Sequence, residues 1–506
     1  MSVISHPSLR RGGSYLWRYL LRHERFDVFL LLLVCGYLFF FGLNTGELYR
    51  TETLRAILAE EMLRGGNWIV PTLYGEPWLT KPPGMYVAIA VCSWPLGEVR
   101  EWSARLPSAL AATVTVFALY WYTRRQLGRL GGLLMALALP TNFMWLDKAS
   151  AAEIDMMQTM WVTLAIVCLL HAVEMDGNGS SFFWWFAALL CVAGGVLTKW
   201  TAPAFFYGTA IPFLWWRGQL RLLFRWPHLV SAACAAGICL AWIGAVIHQA
   251  GWDLFYDTVS REALVRLSPG HHPKPYPWLE TLRHPVVIIG VTLPWSAYAL
   301  LTLHPGFFRL WDERGQLLWQ ALHCWTWPNL LFWTVIPEHA TRNNFPLCPG
   351  LVGLGALVWI AWLQGKPVPG ASQQPLRWLR RHAVGILAGF IVAWFLLKLV
   401  FVQVAIPQRM AQRQPRAKGE HIAAYVPAGQ PLYLFQLKDE GLMFYYRRPV
   451  RRLPDAGRLP DASSYVLLTA YEWQHWDHRL HPADVVRWLT DAQGEAIVLA
   501  RVNRAG

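Results

Sequence analysis

Long apolar runs restrict the possible folds of this chain more than any other sequence feature. Runs of roughly the 20 residues that a helix needs to cross a bilayer begin near Asp27, Ala104, Leu130, Met157, Phe182, Thr201, His228, Val286, Leu318, Leu347 and Ala383. Composition agrees, because 55% of the 506 residues are hydrophobic and 15% are charged, whereas soluble domains carry about 25% charged residues. The sequence predicts an α-helical polytopic membrane protein with about 11–13 transmembrane helices.

Basic residues indicate the orientation of this chain in the membrane. The net charge is +14, and Lys and Arg cluster in loops beside the apolar runs, which is typical of cytoplasmic loops and argues against nucleic acid as a partner. These loops are the N-terminus, 124–129, 217–225, 309–314 and 366–381. The opposite loops, chiefly 45–103, 147–156, 249–285 and 337–346, hold the unusual polar residues. We therefore expect the working face to be extracytoplasmic.

Composition changes in the last fifth of the chain. We interpret 1–406 as the transmembrane domain and 407–506 as a small soluble α/β domain on the periplasmic side. Apolar runs of strand length at Pro431–Leu437 and Tyr465–Thr469 predict strands. Pro482–Thr490 is interpreted as a helix, since Pro is tolerated in a first turn.

Two carboxylates stand where outer-loop helices are predicted to begin. Apolar residues at helical spacing over 52–62 predict an amphipathic helix in the membrane interface, which opens on Glu52 and is preceded by Glu47. Asp155 stands at the start of a later apolar run. Such carboxylates can stabilise a helix N-terminus, or they can act as general bases at a cleft facing the membrane. The residues alone leave both roles open.

Two lysines on the same side are candidate phosphate ligands. Lys81 precedes two prolines that fix an extended turn, and a lysine held there is a well-placed point charge for a phosphate. Lys199 stands at the junction of two apolar runs. The simpler alternatives are a solvated Lys81 and a Lys199 that extends to the membrane interface.

Two later outer loops add further candidate substrate-binding residues. The 249–285 loop carries Arg266, His272 and Tyr276, and the 337–346 loop carries Arg342. Cations of this kind stabilise the growing charge of a phosphate leaving group. His272 follows another histidine directly and lacks the i, i+4 spacing of a helical zinc pair, so a metal site is left open.

The order of these motifs resembles the bacterial aminoarabinose-transferase and protein O-mannosyltransferase-like superfamily of GT-C glycosyltransferases. The resemblance covers roughly residues 40–350 and is most specific at the Lys81-Pro82-Pro83 block. Its other parts are EEM at 60–62, GNWIVP at 66–71, ARLPS at 104–108, DMM at 155–157 and LTK at 197–199, with looser matches at 272–273 and 345–347.

The resemblance implies transfer of a sugar from a polyprenyl-phosphate donor, with inversion, by an enzyme of the bacterial inner membrane whose catalytic loops face the periplasm. The acceptor is a lipid, a protein or a glycan. Residue by residue, Lys81 corresponds to the family's phosphate-contacting lysine, Asp155 to its second-loop acid and Lys199 to its later lysine.

This chain departs from the family at two positions. Relatives commonly have Asp-Glu where Thr51-Glu52 stands, so Glu52 is the leading candidate base, with Glu47 or Asp155 as alternatives. Relatives of the aminoarabinose type carry a carboxylate directly before the Lys-Pro-Pro block, which can help to hold a metal, whereas Thr80 stands there in this chain. A divalent metal is therefore possible but not required, and Thr80 argues against the aminoarabinose reaction itself.

A transporter or flippase for a lipid-linked sugar is the alternative function. It would share the apolar spans and the cationic outer loops. No internal repeat is evident in the sequence, and the large polar loops lie on one predicted face, which is unlike most secondary transporters.

Overall fold

The computed structural model describes residues 24–177, 180–267, 276–337, 339–369, 374–460 and 462–503. Each predicted apolar run lies in a helix. These helices are α1 (Glu24–Cys35), α4 (Glu101–Ala138), α6 (Ile154–Glu174), α7 (Ser181–Val196), α8 (Ala202–Trp216), α9 (Trp226–Ala250), α11 (Trp278–Val291), α14 (Glu313–Val335), α15 (Cys348–Gln364) and α16 (Gln374–Val400). Two runs share α4, which is interrupted at Gly128 (φ 76°). The polytopic helical fold class is confirmed.

Fewer helices than predicted are long enough to span a bilayer alone. Among the described residues, the helical segments that are long and apolar enough are Glu101–Ala138, Ile154–Glu174, Trp226–Ala250, Thr341–Gln364 and Arg381–Tyr425. A sixth is counted if Trp278–Val291 and Ser296–Leu303, bent by 113°, form one broken span. Other predicted runs fold into shorter helices, such as the 16 residues of α7. At about 1.5 Å per residue such a helix is shorter than the hydrocarbon core of a bilayer.

The first outer loop folds into α2 (Thr51–Gly65), a two-stranded hairpin of β1 (Thr72–Leu73) and β2 (Glu76–Pro77), and α3 (Gly84–Ser93). The predicted helix over 52–62 is confirmed. Its inner face is buried, including Ala56, Leu58 and Met62. The remaining short helices of the membrane region are α5 (Phe143–Lys148), α10 (Trp252–Leu267), α12 (Ser296–Ala299) and α13 (Pro305–Phe308).

The C-terminal region forms a small α/β unit, as the sequence predicts. Its helices are α17 (Ile406–Arg413), α18 (Pro415–Tyr425), α19 (Glu440–Tyr446) and α20 (Ala470–Gln474). Its strands are β3 (Leu432–Leu434), β4 (Val450–Arg452), β5 (Ser464–Thr469), β6 (Ala483–Thr490) and β7 (Ala496–Val502), in the order β4-β3-β5-β7-β6. β3 is parallel to β4 and β5, whereas β7 is antiparallel to β5 and β6.

The helix predicted over Pro482–Thr490 is wrong, because this segment forms the edge strand β6. It pairs with β7 from Ala483 opposite Val502 to Thr490 opposite Ala496, with a shift in register after Val485. The proline precedes the strand, where its missing N–H costs no hydrogen bond of the sheet, and the β-branched and aromatic residues that follow suit a pleated surface.

The C-terminal unit docks on the first outer loop. The Tyr445 hydroxyl donates to Glu101 Oε1 at 2.9 Å and accepts from Leu48 N at 2.8 Å. Arg447 Nη1 donates to Glu98 Oε2 at 3.0 Å. No strand or loop separates α16 from α17, which are joined by a π-helical turn at Phe401–Ala405, so the domain boundary at 406 stays a prediction.

Candidate functional site

Four of the predicted site residues form ion pairs around the first and second outer loops. Glu52 pairs with Arg105, Asp155 with Lys199, and Lys81 with Glu262. Only the Asp155–Lys199 pair joins two residues that the sequence singles out.

Glu52 is held by a bidentate contact with Arg105. Arg105 Nε donates to Glu52 Oε1 at 3.0 Å and Nη2 donates to Oε2 at 3.1 Å, while Ala152 N donates to Oε1 at 2.9 Å. Burial raises the pKa of Glu52, but the adjacent guanidinium and the hydrogen bonds outweigh burial, so the pKa lies below its ordinary value. Both oxygens of Glu52 accept from Arg105, so neither is free of a fixed donor.

Arg105 also fixes the backbone that leads into α2. Its Nη1 donates to the carbonyl oxygens of Leu43 at 2.9 Å, Thr45 at 2.9 Å and Gly46 at 3.0 Å. One side chain therefore joins the end of the first span to Glu52. Glu52 is therefore tied through Arg105 to the backbone that precedes α2.

Asp155 and Lys199 form the most deeply buried ion pair of the site. Lys199 Nζ donates to Asp155 Oδ1 at 2.7 Å and to Asn343 Oδ1 at 3.2 Å. The side chains of Asp155 and Lys199 are 2% and 6% exposed. Within the described chain, no hydrogen bond to Asp155 Oδ2 is found.

Arg55 is a site residue that the sequence analysis missed. It is 6% exposed, and its Nη1 donates to Ala152 O at 2.9 Å. The Arg55 charge acts on Glu52 and on Asp155, and therefore links the two carboxylates. The sequence does contain a pattern that could have identified Arg55. It lies three residues after Glu52, and this spacing places both side chains on one face of α2.

Lys81 lies at the rim of the site and is paired with an acid from another loop. Its Nζ donates to Glu262 Oε2 at 2.6 Å and to Thr80 O at 3.1 Å. The side chain is 17% exposed, so solvent reaches it, unlike Lys199. Glu262 lies on α10 about 180 residues away, and no sequence pattern points to it.

A backbone hydrogen bond joins the turn that carries Lys81 to the turn that carries Lys199. Gly84 N, directly after the two prolines, donates to Leu197 O at 2.8 Å. A Cβ at Gly84 would lie 2.7 Å from the same oxygen, so glycine is required for this approach. The contact brings the turn that carries Lys81 against the turn that carries Lys199.

The other predicted binding residues are not all brought to this cluster. Tyr276 donates its hydroxyl to Val335 O at 2.7 Å and thus anchors the end of α14. Arg342 is half-buried and lines a cavity beside Glu52. Arg266 lies in α10 with its side chain outside the described residues, and His272 lies outside them altogether. Both therefore stay predictions.

No metal centre is found in the described part of the chain, where no group of three or more His, Cys, Asp or Glu side chains could hold an ion. Thr80 contributes its carbonyl oxygen to Lys81. What the described cluster offers is an ammonium group for a phosphate and a buried carboxylate beside it.

Comparison with known proteins gives one family and a consistent fold. The family model for dolichyl-phosphate-mannose-protein mannosyltransferase matches residues 80–243, which include Lys81, Asp155 and Lys199. The undecaprenyl phosphate-alpha-4-amino-4-deoxy-L-arabinose arabinosyl transferase of Pseudomonas aeruginosa is 28% identical over 94% of this chain and 93% of its own length. A second such transferase, from Pseudomonas fluorescens, is 26% identical over 68% of this chain, which spans a little over half (58%) of that relative.

Solved structures show the same architecture. The crystal structure of ArnT from Cupriavidus metallidurans bound to undecaprenyl phosphate superposes with a TM-score of 0.73 at 18% identity, over 94% of this chain and 98% of that one. The archaeal oligosaccharyltransferase AglB from Archaeoglobus fulgidus gives a TM-score of 0.52 at 12% identity, over 87% of this chain and 65% of that one. The superfamily resemblance drawn from the motifs is confirmed.

Proposed function

We propose a glycosyltransferase function for this chain, which resembles the GT-C superfamily of aminoarabinose-transferase-like and protein O-mannosyltransferase-like proteins. It moves a hexose or pentose from a polyprenyl-phosphate-linked donor to an acceptor that is a lipid, a protein or a glycan. The buried Asp155–Lys199 pair, set against the turn that carries Lys81, is the observation that carries the proposal. The protein is integral to the inner membrane, and transfer takes place on the periplasmic face.

Lys81 is proposed to hold the donor phosphate. Its ammonium lies at the rim and contacts Glu262 Oε2 at 2.6 Å. A phosphate brings more negative charge than one carboxylate, so it can replace Glu262 as the partner of Lys81. The same ammonium then stabilises the charge that grows on the leaving phosphate as the glycosidic bond breaks.

Asp155 is proposed as the residue that accepts the acceptor's proton. Transfer with inversion, as the family implies, needs a base on the side of the anomeric carbon opposite to the leaving phosphate. Asp155 Oδ2 has no hydrogen-bond partner among the described residues, whereas both oxygens of Glu52 are bonded to Arg105. Glu52 is therefore better suited to positioning α2 and Arg55 than to proton transfer.

The sugar is proposed as a class and not as one compound. The relatives are named for transfer of 4-amino-4-deoxy-L-arabinose. Thr80 stands where relatives of that type have a carboxylate, which argues against copying their sugar to this chain. Mass spectrometry of cell envelopes with and without the protein would identify the missing glycan by its mass.

Transfer of radiolabel from a polyprenyl-phospho-sugar to an acceptor, with purified protein in detergent, tests the proposal. Wild type is expected to form labelled product, and Lys81→Ala is expected to form none while remaining folded. A flippase would bind the donor and give no product. Near-normal transfer by both Lys81→Ala and Glu52→Gln would overturn the assignment of this site.

A further inference from the structure

A second polar site lies beside the Asp155–Lys199 pair, on the other side of Glu52. It is a cavity of about 380 Å³ between the first outer loop, the second outer loop and the helical segment of α16 and α17. Ligand pockets usually begin at about 300 Å³. We call it the basic cavity, and its charged lining residues are Glu47, Arg50, Glu52, Arg105, Asp147, Lys148, Glu153, Arg342, Lys398, Arg409 and Arg413.

The acids of the basic cavity already have cationic partners. Glu52 pairs with Arg105, and Glu47 pairs with Arg416. Asp147 and Glu153 both contact Lys148 Nζ, each at 3.1 Å. The lining carries seven cations against these four acids, so positive charge remains in excess.

Five cations of the lining have no carboxylate partner within the described chain. They are Arg50, Arg342, Lys398, Arg409 and Arg413, none of which forms an ion pair there. Several rest on aromatic rings instead, as Arg413 does on Tyr49 at 3.9 Å. So many cations around one small cavity repel one another, and a bound anion would relieve that repulsion.

Lys398 is the residue whose surroundings most strongly favour a bound anion. It is 1% exposed, and its ammonium donates to Ser150 Oγ at 2.9 Å. An ammonium has three donors, and burying it without an anion costs several kcal/mol. Lys398 lines the cavity and forms no ion pair with a described carboxylate, so an anion bound there would supply a direct partner.

The cavity also has an apolar wall. Phe401, Val402 and Ile406 line it, and the first loop packs closely on this wall, where a Cβ at Gly46 would come within 2.4 Å of Ile406 Cγ2. The same helical segment exposes Leu396, Leu397, Leu399, Val400 and Val404. A ligand with a charged head and an apolar tail would fit both surfaces.

We propose that the basic cavity binds the phosphate headgroup of a membrane lipid, with the phosphate against Lys398 and Arg413 and the tail along α16. This site is separate from the Lys81 and Asp155–Lys199 cluster, and it does not depend on sugar transfer. Inorganic phosphate would share the headgroup chemistry, so the test must separate the two sources.

Isothermal titration of the full chain in a neutral detergent provides that test. Dioctanoyl phosphatidate is expected to bind, dioctanoylglycerol is expected not to bind, and inorganic phosphate is expected to bind at least about tenfold more weakly. Equal binding of inorganic phosphate would overturn the lipid assignment. Binding of dioctanoylglycerol as tight as that of the phosphatidate would overturn the role of the cations.

Substitutions of the lining residues test where in the basic cavity the phosphatidate binds. Lys398→Gln and Arg413→Gln are each expected to weaken phosphatidate binding at least about tenfold, since each removes a charge-assisted hydrogen bond. Arg381→Gln removes an exposed charge from the other end of α16 and serves as the matched control, with unchanged binding. If Lys398→Gln fails to fold, the affinity of Arg413→Gln for the phosphatidate alone tests whether the cations of the basic cavity bind it. Wild-type affinity in Arg413→Gln, or loss of binding in Lys81→Ala instead, would overturn the proposal.

Discussion

The Asp155–Lys199 cluster and the basic cavity are neighbours with opposite charge balance. In the cluster each lysine has a carboxylate, with Lys199 on Asp155 and Lys81 on Glu262. In the basic cavity the cations outnumber the carboxylates, and Lys398 forms no ion pair with a described carboxylate. A balanced site suits a sugar and a charge that develops during the reaction, whereas an unbalanced site suits a ligand with a permanent negative charge.

The largest expected effect comes from unbalancing the Asp155–Lys199 pair. Lys199→Ala would leave a buried carboxylate without its cation and should lower the free energy of unfolding by about 3–5 kcal/mol. Thermal unfolding in detergent measures this loss. The double variant Asp155→Asn with Lys199→Met should recover most of it, because it removes both charges. Equal unfolding temperatures for Lys199→Ala and wild type would show that Lys199 does not stabilise the fold by neutralising Asp155.

Next in size is the effect of Lys81 on transfer. Lys81→Met keeps much of the side-chain length and removes the charge, and it should reduce transfer by about 10²–10³-fold, as for other groups that stabilise a leaving anion. Its unfolding temperature should change little, since the side chain is partly exposed. Transfer rates and unfolding temperatures of the same preparations check both parts. A large loss of stability with unchanged transfer would make Lys81 a structural residue.

A smaller effect is expected from Glu52, and it should depend on pH. The lowered pKa of Glu52 means that the Arg105 pair stabilises the fold above the ordinary glutamate pKa of 4.5, and this contribution is lost as the pH falls through the lowered value. Glu52→Gln should therefore be less stable at neutral pH by about 1–3 kcal/mol. It should also lose less stability on acidification than wild type does. Parallel unfolding curves for the two proteins from neutral pH to pH 3 would contradict this account.

The smallest effect belongs to the exposed edge of the basic cavity. Arg409 is exposed, so water and salt screen its charge, and Arg409→Gln should weaken phosphatidate binding by no more than about threefold. The effect should fade as salt is added, whereas the effect of Lys398→Gln should persist. Titrations at low and high salt measure both. If added salt reduced the effects of Arg409→Gln and Lys398→Gln on phosphatidate binding equally, buried and exposed cations would not differ as proposed.

Sequence alone was sufficient for the elements whose signals are local. Each apolar run of helical length was found in a helix. The motifs at Lys81, Asp155 and Lys199 identified both residues of one ion pair and one residue of another. Local patterns could not supply partners that are distant in sequence, such as Glu262 for Lys81. The β6 segment was misinterpreted because a leading proline suits a helix and an edge strand alike, and pairing with β7 decides between them.

The role of Glu52 also depended on a tertiary contact. Its position at the start of a helix fits a base and a structural carboxylate equally well. Arg105, two helices further along, occupies both of its oxygens, and that contact is not visible in the sequence. Asp155 has the same local signals, and a different set of neighbours leaves one of its oxygens available.

Transfer of label by the double variant Asp155→Asn with Lys199→Met is the most direct test of the central claim. This variant removes the chemistry of the buried pair without leaving an unpaired charge, so it should remain folded. The double variant is expected to transfer sugar at least about 100-fold more slowly than wild type, because a general base usually accelerates a reaction by about that factor or more. Transfer at the wild-type rate by the folded double variant would show that the Asp155–Lys199 pair is not the reacting centre.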